Sequence, residues 1–149
     1  AYVPAVMMVM NVFYAGFAYP LGVISDRFSR RALLLTGLAL LIAADIILAA
    51  AASPWPVFAG AGLWGLHMAC TQGLLSKLVA DTVPEDLRGT AFGVFNLVSG
   101  IALLLASVTA GALWSRIGPG ATFAAGAVFA ALAATGLAVN GNKSRPVSR

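Results

Sequence analysis

The chain reads as five long apolar stretches separated by short polar punctuation. The first covers about residues 2–23 and ends in the cluster Ser25-Asp26-Arg27-Phe28-Ser29-Arg30-Arg31. The second covers about 32–52, interrupted by one acid, Asp45. Ser53-Pro54-Trp55-Pro56 then turns the chain, because two prolines this close cannot continue a helix. A third stretch covers about 56–78, a polar connection runs from Asp81 to Arg88, and a fourth covers about 88–114. After a turn from Ser115 to Gly120, an alanine-rich fifth stretch covers about 119–139, and residues 141–149 form a basic tail. Each stretch is about 20 residues or more, the length a helix needs to cross the hydrocarbon core. Strands are excluded by that length and because an open sheet leaves backbone groups unpaired in lipid. The expected fold is all-α and integral to the membrane, with five transmembrane helices in one bundle over residues 1–140.

Composition agrees. Of 149 residues, 60% are hydrophobic before the 16 glycines are counted, and 9% are charged. Soluble domains carry about 25% charge. A soluble enzyme, a disordered chain and a disulfide scaffold are excluded together. Cys70 is the single cysteine, so no disulfide framework or Cys-based metal site is available. No cofactor or metal site is expected. The chain begins at Ala1 within apolar sequence, without a charged leader or cleavage site, and we read that start as a cut.

A pI near 9.9 points to nucleic acid in a soluble protein. Here the positions decide otherwise. Arg27, Arg30, Arg31, Lys77, Arg88, Lys143, Arg145 and Arg149 fall on one side of the five spans, and Arg116 alone falls on the other. Positive residues concentrate in short cytoplasmic loops, so the N-terminus is expected outside the cell (inner) membrane and the tail in the cytoplasm. Tyr2, Trp55 and Trp114 lie near the opposite ends, where an aromatic belt belongs. The basic character reflects topology, and the partner it implies is the lipid bilayer, not nucleic acid.

Two loops carry the identity. In Gly22-Val23-Ile24-Ser25-Asp26-Arg27-Phe28-Ser29-Arg30-Arg31, an acid and three arginines cluster beside a helix-ending glycine. In Asp81-Thr82-Val83-Pro84-Glu85-Asp86-Leu87-Arg88-Gly89, Thr82 and Glu85 have capping-box spacing, and Pro84 suits a first helical turn. The first loop resembles the G-x-L-A-D-R-x-G-R-R signature of the major facilitator superfamily. Gly22, Asp26, Arg27, Arg30 and Arg31 match; Ile24, Ser25 and Ser29 depart. The second resembles the proline, acid and Arg-Gly connection that the family places two helices later.

The resemblance covers essentially the whole chain and implies a twelve-helix transporter of two six-helix halves. With a basic tail, the five spans are similar to helices eight to twelve; helices two to six are the alternative. It further implies that Asp26 and its arginines latch the cytoplasmic side, in a gate that also includes Gly22, Asp81, Glu85 and Arg88. Arg30 or Arg31 is expected to pair with Asp81 or Glu85.

Polar groups inside the spans mark a substrate or ion pathway: Asn11, Tyr14, Asp45, Trp64, His67, Thr71 and Asn96. At 100° per residue, Trp64, His67 and Thr71 share one face, the preferred solute contact. Asn11 and Tyr14 sit one turn apart on the first helix. Asp45 and His67 are the groups suited to a coupled proton, and the bland alternative is a structural pairing between helices. On the fourth helix, Gly89, Gly93, Asn96, Gly100, Ser107 and Gly111 form a narrow stripe of small residues suited to close helix packing, or to sliding during conformational change.

The function expected is secondary active transport of a small solute by alternating access, as a fragment that lacks its N-terminal half. The alternative is a non-transporting scaffold or receptor on the same fold. An enzyme is not expected. The spans offer no nucleophile–base pair or metal-ligand cluster, and no phosphate-binding glycine loop with a lysine supports an ATP-driven pump.

Overall fold

The computed structural model describes residues 2–25 and 28–140. Asp26, Arg27 and the tail 141–149 lie outside the described residues. Five long helices form: α1 Val3–Ser25, α2 Arg30–Ala49, α3 Pro54–Thr82, α4 Arg88–Arg116 and α5 Pro119–Asn140. Among the described residues there are no strands. By length and composition α1, α2, α4 and α5 are apolar enough to cross a membrane. The 29-residue α3 is long enough but less apolar, because it carries His67, Thr71, Gln72 and several glycines.

The boundaries follow local chemistry. Ser29 caps α2, its Oγ accepting from the Ala32 N–H at 3.2 Å. Pro54 and Pro56 open α3, where a missing N–H costs nothing. Gly118, at φ +124°, supplies the left-handed residue that turns α4 into α5, and its N–H bonds the Leu113 carbonyl at 3.1 Å. The capping box does not form. Thr82 stays in α3, its hydroxyl donating back to the Leu78 carbonyl at 2.6 Å. Pro84 instead leads into a single 3₁₀ turn, Glu85–Leu87, that runs directly into α4.

α3 packs between α1 and α2, and α5 packs on the far side of α2; α4 touches α5 and α3 more lightly. The interior is built from small residues: Gly60, Ala61, Gly62, Gly65, Ala69, Cys70 and Thr71 of α3 are buried, as are Gly37 and Ala44 of α2. Large apolar side chains such as Met8, Leu104 and Leu132 face outward. That is the arrangement expected in lipid, where close backbone approach, not hydrophobic exclusion, drives helix association.

Three glycines set the seams. A β-carbon at Gly37 would lie 2.6 Å from Thr71 Cγ2, and one at Gly60 would lie 2.6 Å from Leu48 Cγ. One at Gly65 would overlap the Met10 carbonyl oxygen. The α2–α5 seam runs antiparallel with steady register. Arg31 reaches the Ala138 carbonyl at one end, Asp45 meets Gly126 further along, and the Ala49 carbonyl meets Gly120 at the other end.

Candidate functional site

The polar features gather at one end of the bundle and along two seams. At the charged end, the start of α2 lies beside the end of α3, because the two helices are antiparallel neighbours. Arg30 Nη2 donates to Asp81 Oδ2 at 2.6 Å, and both side chains are about half-exposed. This is one of the four pairings expected between Arg30 or Arg31 and Asp81 or Glu85. Glu85 turns instead to Arg88, with Nη1 to Oε1 at 3.3 Å, while Arg88 Nε donates to the Ala80 carbonyl at 3.3 Å. Arg88 thus ties the start of α4 to the last turn of α3.

Arg31 takes a different partner. Its Nη2 donates to the Ala138 carbonyl near the end of α5, where unpaired carbonyls and the negative pole of the helix favour a cation. Its Nε is buried and has no partner among the described residues. Gly22 sits in the last turn of α1 with no described residue within 4 Å of its missing β-carbon, and its carbonyl accepts from Ser25 Oγ at 2.6 Å.

Of the face shared by Trp64, His67 and Thr71, two members turn into the α2–α3 seam. His67 Nδ1 and the Gly37 carbonyl oxygen are 2.7 Å apart. A carbonyl only accepts, so Nδ1 carries the proton in this contact, and in the neutral ring Nε2 is the acceptor. Thr71 is buried, donates to the His67 carbonyl at 2.9 Å, and packs its methyl over Gly37. Asp45 is also buried and faces Gly126 of α5, away from the His67 contact.

Trp64 departs from its companions. It is 40% exposed and lines a cavity of about 600 Å³ with Met7, Met10, Trp114 and Phe123. Tyr14 lines a second cavity of about 370 Å³ between α1 and α3, toward the charged end. Asn11 bonds the Met7 carbonyl of its own helix at 2.8 Å and is exposed. Asn96 is exposed on α4, and Gly89, Gly93, Gly100 and Gly111 have nothing within 4 Å of their missing β-carbons. The stripe therefore faces away from the described helices. Among the described residues no cluster of His, Cys, Asp and Glu is placed to hold a metal.

Sequence reasoning missed Gly37, Gly65 and Gly126. Each lies in an apolar stretch, and only the residue opposite on another helix distinguishes it. Arg31's partner on α5 was missed for the same reason.

Comparison with known proteins agrees with this architecture. The family model described as the Major Facilitator Superfamily matches residues 2–147. An uncharacterised MFS-type transporter of Methanocaldococcus jannaschii is 35% identical over 126 residues, covering 85% of this chain and 31% of the relative. The inner membrane transport protein YajR of Escherichia coli is 30% identical over 125 residues, covering 84% of this chain and 26% of the relative. The chain thus spans about a third or less of these curated relatives. No solved structure gives a significant match. With its membrane-length helices and a family match along nearly its whole length, the chain is multi-pass and belongs to the Major Facilitator Superfamily.

Proposed function

We propose that the complete protein moves a small solute across the cell (inner) membrane by alternating access, and that this chain supplies helices eight to twelve, most of the C-terminal six-helix half. The observation that carries the reading is the Arg30–Asp81 pair. It joins two helices at one end of the bundle through half-exposed charges, so it can break and re-form as those ends separate. A buried pair would be too costly to open at every turnover. In this reading Gly22, Asp26, Arg27, Arg30, Arg31, Asp81, Glu85 and Arg88 form the cytoplasmic gate, and the basic loops and tail face the cytoplasm.

Trp64 and Tyr14 are the proposed solute contacts, because each lines a cavity. Asn11, Thr71 and Asn96 are the remaining pathway residues. Asp45 and His67 are the candidates for a coupled proton, being the acid and the imidazole at membrane depth. The exposed stripe of α4 is the face we assign to packing against the rest of the transporter, its N-terminal half included.

Uptake by the full-length protein in proteoliposomes tests the reading. Imposing a pH gradient and offering a panel of labelled small solutes should give accumulation of at least one. Protein that is folded and oriented yet accumulates none favours the scaffold or receptor function instead.

A further inference from the structure

Asp45 is 4% exposed on the face of α2 that meets α5, and a β-carbon at Gly126 would lie 2.5 Å from its Oδ2, so only a glycine leaves it room. Ala44 beside it and Ala130, one turn beyond Gly126, are buried as well. α2 packs chiefly on α3 and α5. From Pro119 to Asn140, α5 carries no ionisable residue. The ionisable groups of α3 are His67, Cys70, Lys77 and Asp81. Gly60 of α3 meets Leu48 and Thr71 meets Gly37, so the part of α3 beside Asp45 lies between residues 60 and 71, and His67 is the nearest of these groups. It bonds Gly37, more than two turns before Asp45 along α2, roughly 12 Å. The cations of α2 itself, Arg30 and Arg31, are engaged by Asp81 and Ala138 at the charged end. Among the described residues the carboxyl has no cation to answer it.

An ionised carboxyl taken out of water without a counter-charge is strongly unfavourable, whereas the protonated acid is neutral and of the same size. The closed seam suits the acid. Two cavities border the same spot. Gly126 lines one of about 390 Å³ between α4 and α5, where Thr109 and Thr122 supply hydroxyls that can hold water. One turn from Asp45 and Gly126, Leu48 of α2 and Phe123 of α5 line the cavity of about 600 Å³ that Trp64 also lines. A change in the spacing of the seam at Gly126 therefore moves two walls of that cavity.

We propose that Asp45 is a proton-binding switch in the α2–α5 seam. While the seam is closed, the carboxyl keeps its proton. When water from the α4–α5 cavity reaches it, the O–H bond breaks and the proton leaves on that water. The carboxylate left behind retains water around itself and so holds the two helices apart at Gly126. The parted seam shifts Leu48 and Phe123 and reshapes the Trp64 cavity. The inference deepens the reading of Asp45 as a coupled-proton group and rests on it in that respect; the switch itself requires no particular solute.

The test uses the full-length protein in nanodiscs, wild type against Asp45→Asn, which keeps the shape and cannot ionise. Infrared spectra taken along a pH titration and subtracted between the two isolate the Asp45 carboxyl from every other acid. A protonated-carboxyl band should be present at acid pH in the wild type alone and be lost as the pH rises. Backbone hydrogen exchange of residues 43–48 and 123–129, compared at equal pH, reads the seam. Wild-type exchange should match the variant's at acid pH and exceed it about tenfold or more once the band is lost. If Asp45→Asn does not fold, Asp45→Ala serves the same subtraction. No Asp45 band at any pH, a band that persists to the alkaline limit of folding, or a lost band with exchange equal to the variant's overturns the switch. Neither measurement involves a solute. Both expected results in a protein that accumulates no solute would count against the transport reading alone, and transport without the band would count against the switch alone.

Discussion

Asp45 of α2 and Gly126 of α5 compete for one volume: a β-carbon at Gly126 would lie 2.5 Å from Asp45 Oδ2. Asp45 is buried there, and no described residue bonds or pairs with its carboxyl. Gly126→Ala should therefore overpack the seam and cost about 1–3 kcal/mol. In an Asp45→Ala background the space is already vacant, so most of that cost should vanish, the non-additivity of residues in contact. Thermal unfolding of the full-length protein in nanodiscs measures both. Equal losses in the two backgrounds would refute the contact.

Gly65 and Gly73 lie on the same helix and predict opposite outcomes. At Gly65 the obstacle is the Met10 backbone carbonyl, which cannot rotate away as a side chain can. Gly65→Ala should push α1 off α3 and cost about 1–3 kcal/mol, as overpacking does. Among the described residues Gly73 has nothing within 4 Å of its missing β-carbon, so Gly73→Ala should cost less than Gly65→Ala and can gain up to about 1 kcal/mol of helix propensity. The same unfolding measurement ranks the two, and a reversed order would place the α1–α3 contact elsewhere.

The His67–Gly37 contact at 2.7 Å separates packing from coupling. His67→Phe removes one interhelical hydrogen bond, a loss averaging about 0.6 kcal/mol in membrane proteins and reaching about 1.7. The expected signature is that modest destabilisation together with an altered pH dependence of uptake. Destabilisation with an unaltered pH profile assigns His67 to the seam alone.

These contacts divide what is legible in the sequence from what is not. The helices are legible because each follows from its own residues: an apolar run bounded by Pro54, Gly118 or the Ser29 cap. Arg30–Asp81 is legible as well, since consecutive antiparallel helices bring the start of α2 to the end of α3. The Trp64–His67–Thr71 face is legible as a face, but the helical wheel does not say what the face meets. Trp64 opens on a cavity with Trp114 and Phe123, while His67 and Thr71 turn to Gly37. Contacts between distant helices are illegible for the same reason. Arg31 and Ala138 stand 107 residues apart, and their meeting depends on the α2–α5 seam rather than on any local pattern.

The Arg30–Asp81 pair offers the most direct test of the account, because the gate depends on its forming and breaking. Its half-exposed charges should add less than about 1 kcal/mol to stability, so variants should fold normally and fail in transport instead. The decisive measurement is solute counterflow by the full-length protein in proteoliposomes, comparing wild type, Arg30→Asp, Asp81→Arg and the double charge swap. The account predicts that each single change lowers the rate by up to about fivefold, the factor set by losing a pair worth up to about 1 kcal/mol. The swap should restore most of it. Single variants as fast as wild type, or a swap as slow as either single change, would contradict a gate held by this pair.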